Sequence, residues 1–159
     1  MSAVCVIVDA NVACSVFKDP PDDDFLPVFE WLHNPKKDGH LVHGGLLTGE
    51  LSGIDYVRRY LVRLNQAGRA SVVPDDDLIP EQERVAAMGI CKSEDVHIIA
   101  LARTSGARTL CSHDTDLQHD FTNPQLISRP RGSVYQNRSH AHLLRHTSGC
   151  RRRLRRQVK

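Results

Sequence analysis

Five carboxylates lie in four short, well-separated segments of this 159-residue chain. Asp9 stands in VIVDANV, Glu50 in LLTGELSG, Asp95 in KSEDVHIIALA, and Asp114 and Asp116 in TLCSHDTDL. The first and last segments are apolar, strand-like runs that lead into an acid. In open α/β sheets, ligands bind beyond the carboxyl ends of the strands. Acids delivered there from distant parts of the chain would share one crevice. Crowded carboxylates repel each other, and a divalent cation is the usual remedy. Oxygen donors suit Mg²⁺ or Mn²⁺.

The apolar pattern gives the elements that must place these acids. Residues 3–8 form a continuous apolar run of strand length, as in a central parallel strand covered on both faces. The cluster Asp19-Pro20-Pro21-Asp22-Asp23-Asp24 reads as a loop. Residues 25–33 have helical spacing, and 41–43 read as a second strand. One long helix is expected over 46–66, with apolar positions every three or four residues and Gly68 after its end. Residues 71–73 read as a short edge strand, and 80–88 as a helix with Pro80 in its first turn. Ser93 is a candidate N-cap for a helix to about residue 105, with Glu94 and Asp95 in its first turn. A buried strand at 109–112, a short helix at 114–121 and a last strand at 125–127 complete the order. Such alternation predicts a three-layer α/β/α sandwich with a mainly parallel central sheet.

Together these segments resemble the PIN-domain nucleases, small enzymes that use magnesium or manganese and mostly cleave RNA. The resemblance runs from about Ala3 to Ile127. It is carried by the opening strand ending Asp9-Ala10-Asn11, by Glu50, by Asp95 before the apolar helix Ile98-Ile99-Ala100, and by Ser112-His113-Asp114-Thr115-Asp116. It implies the same sandwich, and a metal site made of Asp9, Glu50, Asp95 and Asp114, with Asp116 assisting. It also implies hydrolysis of RNA phosphodiester bonds by a two-metal mechanism. One ion lowers the pKa of the attacking water, and a second, ~3.5–4 Å away, stabilises the leaving 3′-oxygen. Such stand-alone domains are often toxins, held in check by a small antitoxin-like protein partner, and often homodimers. The competing expectation is a catalytically silent PIN-like module that binds RNA or protein.

Each acid has a plainer reading. Asp9 could cap the helix that follows it. Glu50 could be a surface glutamate early in a helix. Asp95 competes with Glu94, but shares a face with Ile98, Ile99 and Ala102, whereas Glu94 should point to solvent. Asp120 is expected to face solvent. Asn11 and Ser112 are candidates to orient the ligands from outside. None of the nine histidines has zinc spacing. Asp22–Asp24 and Asp75–Asp77 read as solvated loops.

Net charge is sharply divided. Residues 1–128 hold 11 basic and 19 acidic residues, a net −8, whereas 129–159 hold 10 basic residues and no acid. The division suggests a boundary near residue 128: a domain over 1–128, a PIN-like nuclease domain by the resemblance, and a basic extension over 129–159 whose last ten or so residues are expected to be disordered. Lys92, Arg129, Arg131, Arg151, Arg152, Arg153, Arg155 and Arg156 are candidates to contact the phosphates of an RNA substrate. Aromatic residues make up only 5%, which argues against a stacking platform for single strands. Neither a P-loop nor G-x-G-x-x-G occurs, so a nucleotide cofactor is not expected. No apolar run reaches the ~20 residues of a membrane span, and the N-terminus has no signal-peptide pattern. Five cysteines without a C-x-x-C pair suggest reduced thiols and a cytoplasmic protein.

Overall fold

A computed structural model describes residues 4–144. Its order is β1 (Val4–Val8), α1 (Ala10–Phe17), α2 (Leu26–His33), β2 (Gly39–His43), α3 (Gly45–Ser52), α4 (Asp55–Gln66), β3 (Ala70–Val72), α5 (Asp75–Met88), α6 (Val96–Ser105), β4 (Thr109–Cys111), α7 (Thr115–Phe121) and β5 (Ser133–Tyr135), then a 3-10 turn over Arg138–Leu143. The five strands are all parallel, in the order β3-β2-β1-β4-β5. Helices flank the sheet, so the domain is a three-layer α/β/α sandwich. No described helix is long and apolar enough to cross a membrane.

The apolar runs explain the layers. Val6, Ile7 and Val8 of β1, Leu41 and Val42 of β2, and Leu110 and Cys111 of β4 are fully buried. A parallel sheet buried on both faces requires such runs. Helix α6 is buried along Ile98-Ile99-Ala100-Leu101-Ala102, so it is an interior helix rather than an amphipathic one.

Several expected boundaries are corrected. The long helix of residues 46–66 is two helices, α3 and α4, broken at Gly53 and an extended Ile54 (φ −105°, ψ 112°). Glycines at 49 and 53 weaken the helix there. Helix α5 starts at Asp75, behind Pro74, so Pro80 lies inside it and Asp75–Asp77 form its first turn. Acids suit that end of a helix. No strand forms at 125–127; Leu126 and Ile127 are buried in a turn instead. The last strand is β5, beyond residue 128, so the sheet continues into the segment expected to be an extension. Cys14, Cys91 and Cys111 are free thiols, in line with the expectation for those three.

Two arginines tie the chain together from within. Arg69 donates to the carbonyls of Trp31, Leu32, Gly39 and Asn34, the last at 2.7 Å. It thereby satisfies the end of α2 and the start of β2. Arg108 donates to the carbonyls of Ala102, Ala107, Ser128 and Pro130. A planar fork of five donors makes this possible, and a lysine has no such fork. Arg69→Lys should therefore lower unfolding stability by about 1–3 kcal/mol. Urea denaturation checks this; an unchanged midpoint would show that the carbonyls find water equally well.

Candidate functional site

The sheet order picks out one crevice. From β1 the chain moves outward to β2 and β3 on one side, then returns to the other side for β4 and β5. Connections therefore diverge between β1 and β4, and ligands bind at such a switch point, beyond the carboxyl ends of the strands. Asp9 directly follows β1, and Ser112 directly follows β4. The Asp9 amide donates to the Cys111 carbonyl at 2.9 Å, and Ser112 Oγ donates to Asp9 Oδ2 at 2.8 Å.

Asp9 occupies the N-cap position of α1, yet its side chain makes no capping bond. The capping reading of Asp9 therefore fails. The residue is only 7% exposed, and no lysine or arginine pairs with it among the described residues. Burial pushes its carboxyl pKa up; hydrogen bonds from Ser112 and the Ala10 amide oppose this, and the charges of Asp95 and Glu50 add to the rise. Asp9, Glu50 and Asp95 thus share one electrostatic environment, though they come from three distant segments.

Asp95 is half-buried and Glu94 exposed. Asp95 occupies the N-cap position of α6, not its first turn, and its carboxylate makes no capping bond. Its amide donates to Ser93 Oγ at 2.9 Å. Glu50 lies near the carboxyl end of α3 rather than early in a helix, because α3 stops at Ser52. Its Oε1 lies 3.6 Å from His97 Nε2. That is too long for a hydrogen bond, and His97 Nε2 is buried with no partner among the described residues. His43 faces the same helix through a 2.8 Å hydrogen bond to Thr48 Oγ1, and burial lowers its pKa to about 4.

Asp114 is a capping residue. Its Oδ1 accepts from the amides of Asp116 and Leu117 at 3.0 and 3.2 Å, which leaves Oδ2. Asp116 is exposed in the first turn of α7. Asn11 Oδ1 accepts from the His113 amide at 3.3 Å, so it braces the loop beside Asp9. Ser112 does more than orient Asp9, since its Oγ also accepts from the Asp114 amide at 3.1 Å.

Two residues of α7 outside the expected set hold the site in place. Gln118 Nε2 donates to the Ser112 carbonyl at 2.7 Å, and Gln136 Nε2 donates to Gln118 Oε1 at 3.0 Å. Asp120, expected to face solvent, is fully buried. Its carboxylate accepts the amides of Lys92 and Ser93 at 2.8–3.0 Å. It fixes the loop that leads into Asp95. A buried Asp120 has one sequence signal, its place three and four residues from the apolar Leu117 and Pro124. That spacing alone does not distinguish a buried acid from a surface one.

The expected phosphate contacts divide. Lys92 is exposed close to Asp95 in sequence. Arg129 and Arg131 precede β5, and β5 is parallel to its neighbours. They therefore lie at the amino end of β5, whereas Asp9 follows the carboxyl end of β1. Arg151, Arg152, Arg153, Arg155 and Arg156 lie outside the described residues.

The donor chemistry suits a hard divalent cation: Asp9, Glu50 and Asp95 have no lysine or arginine partner among the described residues, and Glu50 has only His97 beside it. Among the described residues, no three potential ligands stand close enough to enclose an ion. Magnesium does not require such a cage. It keeps several waters and binds through one or two carboxylates.

Two measurements follow from this geometry. The raised pKa means that folded Asp9 holds its proton to higher pH than the unfolded chain does. Stability should therefore fall as pH rises from 3.8 through the raised value. Asp9→Asn should remove that slope, so in metal-free buffer the variant should be the more stable chain at pH 7, with the advantage vanishing below pH ~4. A variant less stable than the parent at pH 7 would contradict the burial argument. Asp120→Ala strands two amides and should cost about 2–4 kcal/mol. Denaturation by urea reads that loss, and a cost below ~1 kcal/mol would mean that water replaces the carboxylate.

No family model, no curated protein and no solved structure matches this chain.

Proposed function

We propose that this chain is a metal-dependent endoribonuclease of PIN-like architecture. The observation that carries the reading is the buried, unneutralised Asp9 at the sheet's switch point, its proton affinity raised by burial and by the charges of Asp95 and Glu50. Asp9, Glu50 and Asp95 would hold Mg²⁺ or Mn²⁺, with Asp114 offering its remaining oxygen and Asp116 lying further out. When bound, the ion lowers the pKa of water and screens the charge that develops on the phosphate. Everything else falls to the chain. Ser112 and Gln118 hold Asp9 still, and Ser93 and Asp120 do the same for Asp95. No protein nucleophile is required, so the attacking oxygen comes from water. Attack at phosphorus with departure of the 3′-oxygen gives 5′-phosphate and 3′-hydroxyl ends.

The separation of the carboxylates favours a second reading, a non-catalytic module of the same fold. Metal titration separates the two. The parent chain should bind Mn²⁺ in a calorimeter and Asp9→Asn should not, with RNA cleavage lost in the same variant. Asp95→Ala should cost far more single-turnover cleavage at saturating Mn²⁺ than Glu94→Ala, because a helix points neighbours about 100° apart. Cleavage by Asp9→Asn at the parental rate would sink the nuclease reading. Absence of Mn²⁺ binding in the parent would favour the silent module.

A further inference from the structure

Helix α4 carries Tyr56, Arg59, Tyr60 and Arg63 at positions i, i+3, i+4 and i+7. That spacing puts all four on one face. The face meets Phe17 and Lys18 at the end of α1, and between them lies a groove of about 290 Å³. Phe17 stacks on Tyr60 with ring centroids 5.6 Å apart. The Arg63 guanidinium lies over the Tyr60 ring, 5.5 Å from its centroid. The edges of Phe29 and His33 close round the same ring. Tyr60 is thus held in place by its neighbours, and the Arg63 guanidinium stands over its ring. Tyr56, half-exposed, is tethered to Cys14 by a side-chain hydrogen bond.

The charge of the groove runs against its surroundings. Residues 1–128 carry a net −8, yet this face gathers Lys18, Arg59 and Arg63 against Asp19. Lys18 is paired with Asp22. Arg59 and Arg63 form no ion pair among the described residues and are exposed. They stand one helical turn apart, ~6 Å along the axis. Two unspent guanidinium groups call for phosphate oxygens, and planar aromatic and guanidinium faces call for bases. A basic segment of the same chain would be repelled.

We propose that the α1–α4 groove binds single-stranded RNA, with a base against Tyr56 and the Arg63 plane and phosphates on Arg59 and Arg63. The low aromatic content hides a platform that is local, built by one helix face. The assignment rests on the nuclease reading only in taking the polyanion to be RNA.

The test uses the full chain in EDTA, where no metal-dependent cutting occurs, with a short fluorescein-labelled single-stranded RNA of mixed sequence. Anisotropy titrations are run at three salt concentrations. The double variant Arg59→Ala/Arg63→Ala should bind about tenfold or more weakly, with the slope of log K against log salt shallower by ~1.4, two phosphate contacts at ~0.7 each. Tyr56→Ala should weaken binding without changing the slope, and Tyr56→Phe should keep parental affinity. Arg58→Ala is the control. Arg58 pairs with Asp55, and its loss should change nothing. Parental affinity and slope in the double variant would overturn the proposal, as would a parent chain that binds no RNA. A double variant that loses self-association while keeping RNA affinity would overturn it too and make the groove an interface between copies. Failure of the nuclease reading looks different: the parent binds RNA through this groove but does not cut it when Mn²⁺ is added.

Discussion

The placing of β1 at the centre of a parallel sheet governs the rest of this structure. Its neighbours on the two sides, β2 and β4, belong to excursions that leave it in opposite directions. The backbone must therefore part at its carboxyl end, and that parting leaves Asp9 at the mouth of a crevice, with the Ser112 hydroxyl and the Ala10 amide to satisfy it. A continuous apolar strand cannot itself solvate the acid that ends it. Burial, repulsion and the chance of binding a cation all follow from that one position.

The acids around the crevice behave differently because their hydrogen bonds differ. Asp120 is more deeply buried than Asp9, yet it receives two backbone amides and serves as an anchor. Asp114 gives one oxygen to the start of α7. Asp9 receives the Ser112 hydroxyl and the backbone amide of Ala10, and among the described residues Asp95 and Glu50 receive no hydrogen bond on their carboxylates. Carboxylates with few donors are those left to seek an external charge.

Much of this was legible in the residues. Asp9 could be placed because strand and acid are contiguous. Asp95 could be separated from Glu94 because a buried helix fixes which way each faces. Tertiary partners hid the rest. Nothing local says that Asp120 will find the amides of Lys92 and Ser93 some twenty-seven residues away, or that Gln118 will reach back to Ser112. Leu126 and Ile127 are as apolar as a strand, and they are buried, but no ladder is available to them. Strand direction, which composition does not reveal, sets Arg129 and Arg131 at the amino end of β5, away from the strand ends that carry Asp9. The charge-rich face of α4 looks solvated until Phe17 and the Tyr60 ring are found beneath it.

Helix α7 has only seven residues, too few to persist in isolation. It nevertheless carries the anchors of both Asp9 and Asp95, through Gln118 and Asp120. The crevice consequently has a single weak hinge. If α7 lifts, both acids lose their footing in the same event, while β1, β2 and α6 stay packed. Amides of Lys92 and Ser93 should then exchange with solvent through this partial opening, well before the sheet does. The site should then open as a local unit, its assembly governed by the seven residues of α7, about two turns of helix.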